Sequence, residues 1–123
     1  MSIIRILIFQ QDPVELEILL KRLQKKGTLA KGTGDAGQVP DEAAAFKPDV
    51  IIVEPWDPFY GEILDIELLQ KNQPHSGIVV LTGQIRPDMA AQVMGKGAFD
   101  LLIKPCPVEE LLMAINRAAG IHL

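Results

Sequence analysis

Apolar positions fall into short unbroken runs, separated by stretches with helical spacing. Val50 to Val53 is the clearest run: four β-branched residues that end abruptly at Glu54 and Pro55. Unbroken apolar runs of this length, rich in β-branched side chains, predict strands buried on both faces. Ile3 to Phe9 (apolar except Arg5), Ile78 to Leu81 and Ala98 to Ile103 (apolar except Asp100) read as further strands. Between them the period changes. Leu16, Leu19, Leu20 and Leu23 form one stripe of a first helix. Asp12 suits its N-cap, Pro13 its first position and Glu15 its first turn; Gly27 ends it. Thr28 to Ala30 reads as a short second strand, and Pro40 to Phe46 as a short helix. Pro55 to Gly61 is a loop, and a helix runs from Glu62 to about Lys71. Pro87 to Met94 is a helix closed by Gly95 and Gly97. Pro107 opens the last helix, with Val108, Leu111, Leu112 and Ile115 on its buried face.

Strand and helix therefore alternate five times without a linker or an internal repeat. That predicts one α/β domain over 1–123, a parallel sheet with helices on both faces. Right-handed crossovers make it a three-layer sandwich. For five strands and five helices the flavodoxin-like order 2-1-3-4-5 is the leading arrangement. In such sheets ligands lie in the crevice at the carboxyl ends of the strands. Those ends gather Gln10, Gln11, Glu54, Thr82 and Lys104.

Composition narrows the function. Hydrophobic residues make up 48% and charged ones 23%, an ordinary globular balance. The net charge is −4 and no dense Lys/Arg block exists, which disfavours nucleic acid as a partner. Lys21, Arg22, Lys25 and Lys26 read as a solvated basic face near a helix end. No stretch is long enough for a membrane span. The single cysteine, Cys106, allows no internal disulfide and fits a cytoplasmic location. It has no histidine beside it, which argues against a nucleophilic role, and His75 reads as a solvated loop residue. The Gly-rich stretch 31–38 lacks the spacing of a phosphate loop and reads as a flexible connection.

The sequence motifs PDVIIVE (residues 48–54), IVVLTG (78–83) and KGAFDLLIKP (96–105) carry a resemblance. The chain resembles the receiver domain of response regulators over almost its whole length. The resemblance implies two-component signalling, in a phosphorelay with a histidine kinase, an output domain or another regulator as protein partner. It also implies a homodimer face on helix 4, strand 5 and helix 5, and a cis peptide at Lys104-Pro105. In that family the first strand ends in an acidic pair, the third in a phosphoaccepting aspartate, the fourth in Thr or Ser, and the fifth in Lys-Pro. Thr82 and Lys104 match that pattern.

The departures matter more. Gln10-Gln11 stands at the acidic pair, Glu54 at the acceptor, and Leu101 where the family's switch uses an aromatic ring. The loop between Pro58 and Gly61 is one residue shorter than the pattern. Mg²⁺ is usually held by one or two carboxylates plus water and phosphate, and two glutamines offer only neutral carbonyls. The expectation is a pseudo-receiver: no Mg²⁺ or other cofactor, no catalytic residue, no enzymatic activity, and signalling by protein contact. The alternative is an unusual acceptor, Glu54 or Asp57. Two readings of Glu54 stand side by side. Its charge beside Lys104 partly mimics a phosphoaspartate and fixes one signalling state, or the two groups pair because each would otherwise be poorly solvated. Trp56, Phe59 and Tyr60 crowd the loop beside the crevice. They suit either a partner contact or a cap over the core.

Overall fold

The computed structural model describes residues 3–54, 65–83 and 87–120. Five strands, β1 (Arg5–Phe9), β2 (Leu29–Thr33), β3 (Val50–Val53), β4 (Gly77–Thr82) and β5 (Asp100–Ile103), form one sheet. Its order is β2-β1-β3-β4-β5 and every pairing is parallel. The helices are α1 (Pro13–Lys25), α2 (Val39–Phe46), α3 (Ile66–Asn72), α4 (Pro87–Gly95) and α5 (Val108–Ala118). This is the predicted flavodoxin-like fold.

β3 is central because its four side chains are all buried, Val50 to Ile52 completely. Burying each is worth about 1.5–3 kcal/mol relative to exposure. Alternate residues serve the two faces of the sheet. Leu7, Phe9, Ile51, Val53, Ile78 and Val80 pack on one side, with Val39 and Ala43 of α2 and Ile66 and Leu69 of α3. Ile6, Ile8, Val50, Ile52, Val79 and Leu81 pack on the other, with Leu23 of α1 and Leu111 and Ile115 of α5. The predicted apolar faces of α1 and α5 are those that meet the sheet.

α3 begins at Ile66, with Asp65 as its N-cap, four residues later than predicted; two further corrections concern the stretch after α1. First, β2 extends to Thr33, so Lys31 to Thr33 is strand and not flexible connection. Gly32 is there because α1 lies close over the strand: a Cβ on it would come within 2.5 Å of Leu16 Cδ1. Second, Asp35 caps a short 3-10 turn, Ala36–Gln38, which leads directly into α2. The glycines of that stretch therefore serve close packing and an ordered turn. At Gly27, by contrast, the predicted stop is realised in left-handed backbone, φ 86°. Lys104-Pro105 is cis, as the resemblance implies.

Candidate functional site

The crevice lies at the carboxyl ends of β1, β3 and β5, with the first turn of α1 along its rim. Asp12 caps α1 by accepting from the amides of Val14 (2.8 Å) and Glu15 (3.2 Å). Its carboxylate is therefore committed to the helix, as the sequence predicts. The cap sets the first turn of α1 directly over the end of β1, and Glu15 sits on that turn. β3 ends at Glu54, whose amide still bonds Phe9 O at 3.0 Å, so the carboxylate rises from the floor of the crevice. Lys104 enters from the end of β5, its amide bonded to Thr82 O at 2.8 Å.

These side chains form one network. Lys104 Nζ lies 2.5 Å from Glu54 Oε2 and 3.2 Å from Glu15 Oε2. Gln10 Nε2 donates to Glu15 Oε2 at 2.9 Å and also, over a short contact, to Glu54 Oε2. Gln10 Oε1 accepts from the Asp12 amide at 2.9 Å. This orientation of the Gln10 amide is the one chemistry requires, with N–H toward carboxylates and oxygen toward an N–H. Glu54 is only 7% exposed, whereas the Lys104 and Glu15 side chains are 34% and 52% exposed.

Burial is the largest influence on Glu54 and pushes its carboxyl above the usual carboxylate range. The hydrogen bond and charge of Lys104 oppose that shift, Glu15 adds to it, and Gln10 opposes it weakly. For Lys104, burial acts downward, but the bonds and charges of Glu54 and Glu15 outweigh it and the net shift is upward. The network holds two carboxylates against one ammonium, so the crevice is anionic. It can hold a fixed negative charge at its floor and offer hydrogen-bond donors from Lys104 and Gln10. No third carboxylate, histidine or thiol joins Glu15 and Glu54 among the described residues.

The structure thus unites Gln10, Glu54 and Lys104, with the backbone of Thr82 holding Lys104. Thr82 itself is buried beside them, at the end of β4. Gln11 stands apart, its Oε1 buried with no hydrogen-bond partner among the described residues. Leu101 pairs with Val80 in register and packs partly buried against the α2–α3 side of the sheet. Trp56, Asp57, Phe59 and Tyr60, with Pro58, Gly61 and the predicted helix start at Glu62, lie outside the described residues. Glu15 is the site residue that sequence reading missed. Its signal was present: helical side chains lean toward the N-terminus, and this helix begins two residues beyond the crevice position Gln11.

A cleft of about 480 Å³ opens beside the network, between α1 and α5, lined by Ile18, Leu19, Leu81, Cys106, Val108 and Leu111. Burial first, and then the charge of Glu110, raise the Cys106 thiol, which makes it a poor nucleophile.

Comparison with known proteins gives a consistent result. Residues 6–116 match the family model described as response regulator receiver domain. Nitrogen assimilation regulatory protein NtrX of Azorhizobium caulinodans is 26% identical over 117 residues, covering 92% of this chain and 25% of that protein. The chain thus spans about a quarter of that relative's length. Protein PilH of Pseudomonas aeruginosa is 32% identical over 114 residues, covering 91% of this chain and 94% of PilH. A response regulator from Burkholderia pseudomallei, solved with a phosphorylated aspartic acid, calcium ion and citrate, superposes with a TM-score of 0.84 at 26% identity. That match covers 95% of this chain and 69% of the other.

Proposed function

Since the chain belongs to the response regulator receiver domain family, we propose that it is a receiver that works without accepting a phosphoryl group. Glu54 supplies a built-in anion at the acceptor position. The observation that carries this reading is the contact of Glu54 Oε2 with both Lys104 Nζ, at 2.5 Å, and the Gln10 amide. Those are the donors an oxyanion at this place would use. Glu54 brings one charge and two oxygens where a phosphoaspartate brings nearly two charges and three, so the mimicry is partial.

The donor set does not suit Mg²⁺. Gln10 aims N–H at the crevice and its carbonyl is engaged by Asp12. Glu54 and Glu15 are both engaged by Lys104 and the Gln10 amide, and Gln11 contributes a single neutral carbonyl. Phosphoryl transfer depends on metal to neutralise developing charge, and in-line attack depends on ångström placement that the longer glutamate alters. We therefore assign no cofactor, no catalytic residue and no enzymatic activity to this domain. Of the two glutamines at the acidic-pair position, Gln10 serves to hold the two carboxylates in place.

Signalling then proceeds by protein contact, with a histidine kinase, an output domain or another regulator. Met94, Phe99, Ile103 and Met113 expose apolar surface on the α4–β5–α5 side, which supports that side as the contact or homodimer face. A cytoplasmic location, with neither nucleic acid nor membrane bound by this domain, fits the acidic charge. No described helix is long and apolar enough to cross a membrane.

Rebuilding the chemistry tests the reading. With acetyl phosphate and Mg²⁺, Glu54→Asp alone should stay unmodified, because the metal ligands are still missing. Gln10→Asp/Gln11→Asp/Glu54→Asp should become phosphorylated, non-additively, because acceptor and metal act as a unit. Phosphorylation of Glu54→Asp alone would defeat the proposal.

A further inference from the structure

We infer that Glu15 is an internal counter-anion that keeps external oxyanions off Lys104. The inference deepens the reading of Glu54 as a built-in anion and rests on it. One oxygen of Glu15 bridges the two donors that also bind Glu54: Lys104 Nζ at 3.2 Å and Gln10 Nε2 at 2.9 Å. The amide of Gln10 has two N–H donors, and both carboxylates draw on them. Lys104 has three, of which these two contacts take two.

Position distinguishes the two acids. Glu54 is buried at the floor, whereas Glu15 is about half exposed and holds the partly exposed Lys104 ammonium at the rim. An arriving phosphate or carboxylate would have to compete with Glu15 for the ammonium. With both acids ionised the crevice carries one negative charge in excess, so it repels such groups. The same contact ties α1 to the β5–α5 connection across 89 residues of chain, at the upper edge of the α1–α5 cleft. Glu17 lies two residues further along α1 and pairs outward with Lys21 instead, so it provides an isocharged comparison.

The test is titration with inorganic phosphate, followed by the NMR shifts of the Lys104 ammonium and backbone amide. Glu15→Gln should bind phosphate about tenfold more tightly than the wild type, the scale expected for removing one unit charge a few ångströms from a surface site. Glu17→Gln should leave the affinity within about twofold of wild type, since its charge is more distant and screened. Adding Lys104→Met to Glu15→Gln should abolish the gain. If that double variant does not fold, the ammonium resonance decides, because it must move with phosphate in Glu15→Gln. No gain in Glu15→Gln, an equal gain in Glu17→Gln, or an unmoved ammonium would overturn the inference. Inorganic phosphate cannot phosphorylate the protein, so this result is independent of whether Glu54 proves to be an acceptor.

Discussion

The two ends of the sheet treat their polar groups in opposite ways. At the amino ends, polar side chains bond to backbone. Arg5 donates to Phe46 O from Nε at 3.0 Å and Nη2 at 2.7 Å, and its guanidinium lies 4.3 Å over the Phe46 ring. Asp49 accepts the Arg5 amide at 2.8 Å, and the Ser76 hydroxyl donates to Pro48 O at 2.6 Å. At the carboxyl ends, the charged groups of the crevice bond to side chains, and two carboxylates share one ammonium and one amide. A backbone partner is fixed by the fold, whereas a side-chain partner can be exchanged for a ligand. The amino end is organised for stability. The carboxyl end spends stability on a buried charge, which is the mark of a functional site.

Removing the shared cation should break this contrast most severely. Lys104→Met leaves Glu54 buried without its main partner. A loss of about 2 kcal/mol at neutral pH is expected, between the values for exposed and fully buried pairs. The loss should depend on pH. The folded Glu54 carboxyl titrates above its ordinary 4.5, so its contribution is fully present below 4.5 and is lost as pH rises through the folded value. Without Lys104 that titration moves further up, and the variant should regain most of its stability in acid. Urea unfolding at acid and neutral pH checks this. Lys104 has its own window at high pH: its raised ammonium keeps its contribution up to its ordinary 10.5 and loses it above.

At the amino end, Ser76→Ala should cost about 1–2 kcal/mol by leaving the buried Pro48 carbonyl unpaired. That loss should be flat between acid and neutral pH. A matching pH slope in Ser76→Ala would erase the distinction between the two ends. Glu54→Gln should stay within about 1 kcal/mol of wild type at neutral pH, because replacing a buried charge is often neutral or stabilising and Lys104 keeps Glu15. Relative to wild type, its stability should improve as pH rises above 4.5, since the wild type alone bears the cost of ionising that carboxyl. Glu15→Gln should be the mildest change, at most about 0.5 kcal/mol, as for an exposed ion pair.

The same contrast separates the residues that were legible in the sequence from those that were not. Val50 to Val53, the Leu16–Leu23 stripe and the Asp12-Pro13 cap are local patterns, and each appears in the fold as its pattern predicts. Glu54 and Lys104 were legible because topology brings the carboxyl ends of neighbouring strands together. Glu15 was not, because its place in the first turn already had a sufficient local explanation in the helix dipole. Only the distance to Lys104, 89 residues on, reveals its second role. Gly32 was misread for the same reason: a glycine needed for the approach of Leu16 has the same local signature as a flexible one.

The most direct test of the central claim uses the unmodified protein. Intact-mass spectrometry after incubation with acetyl phosphate and Mg²⁺ should return an unchanged mass, with Gln10→Asp/Gln11→Asp/Glu54→Asp as the positive control. A stable phosphoryl adduct on the wild type, mapped by peptide analysis to residues 54–57, would contradict the account.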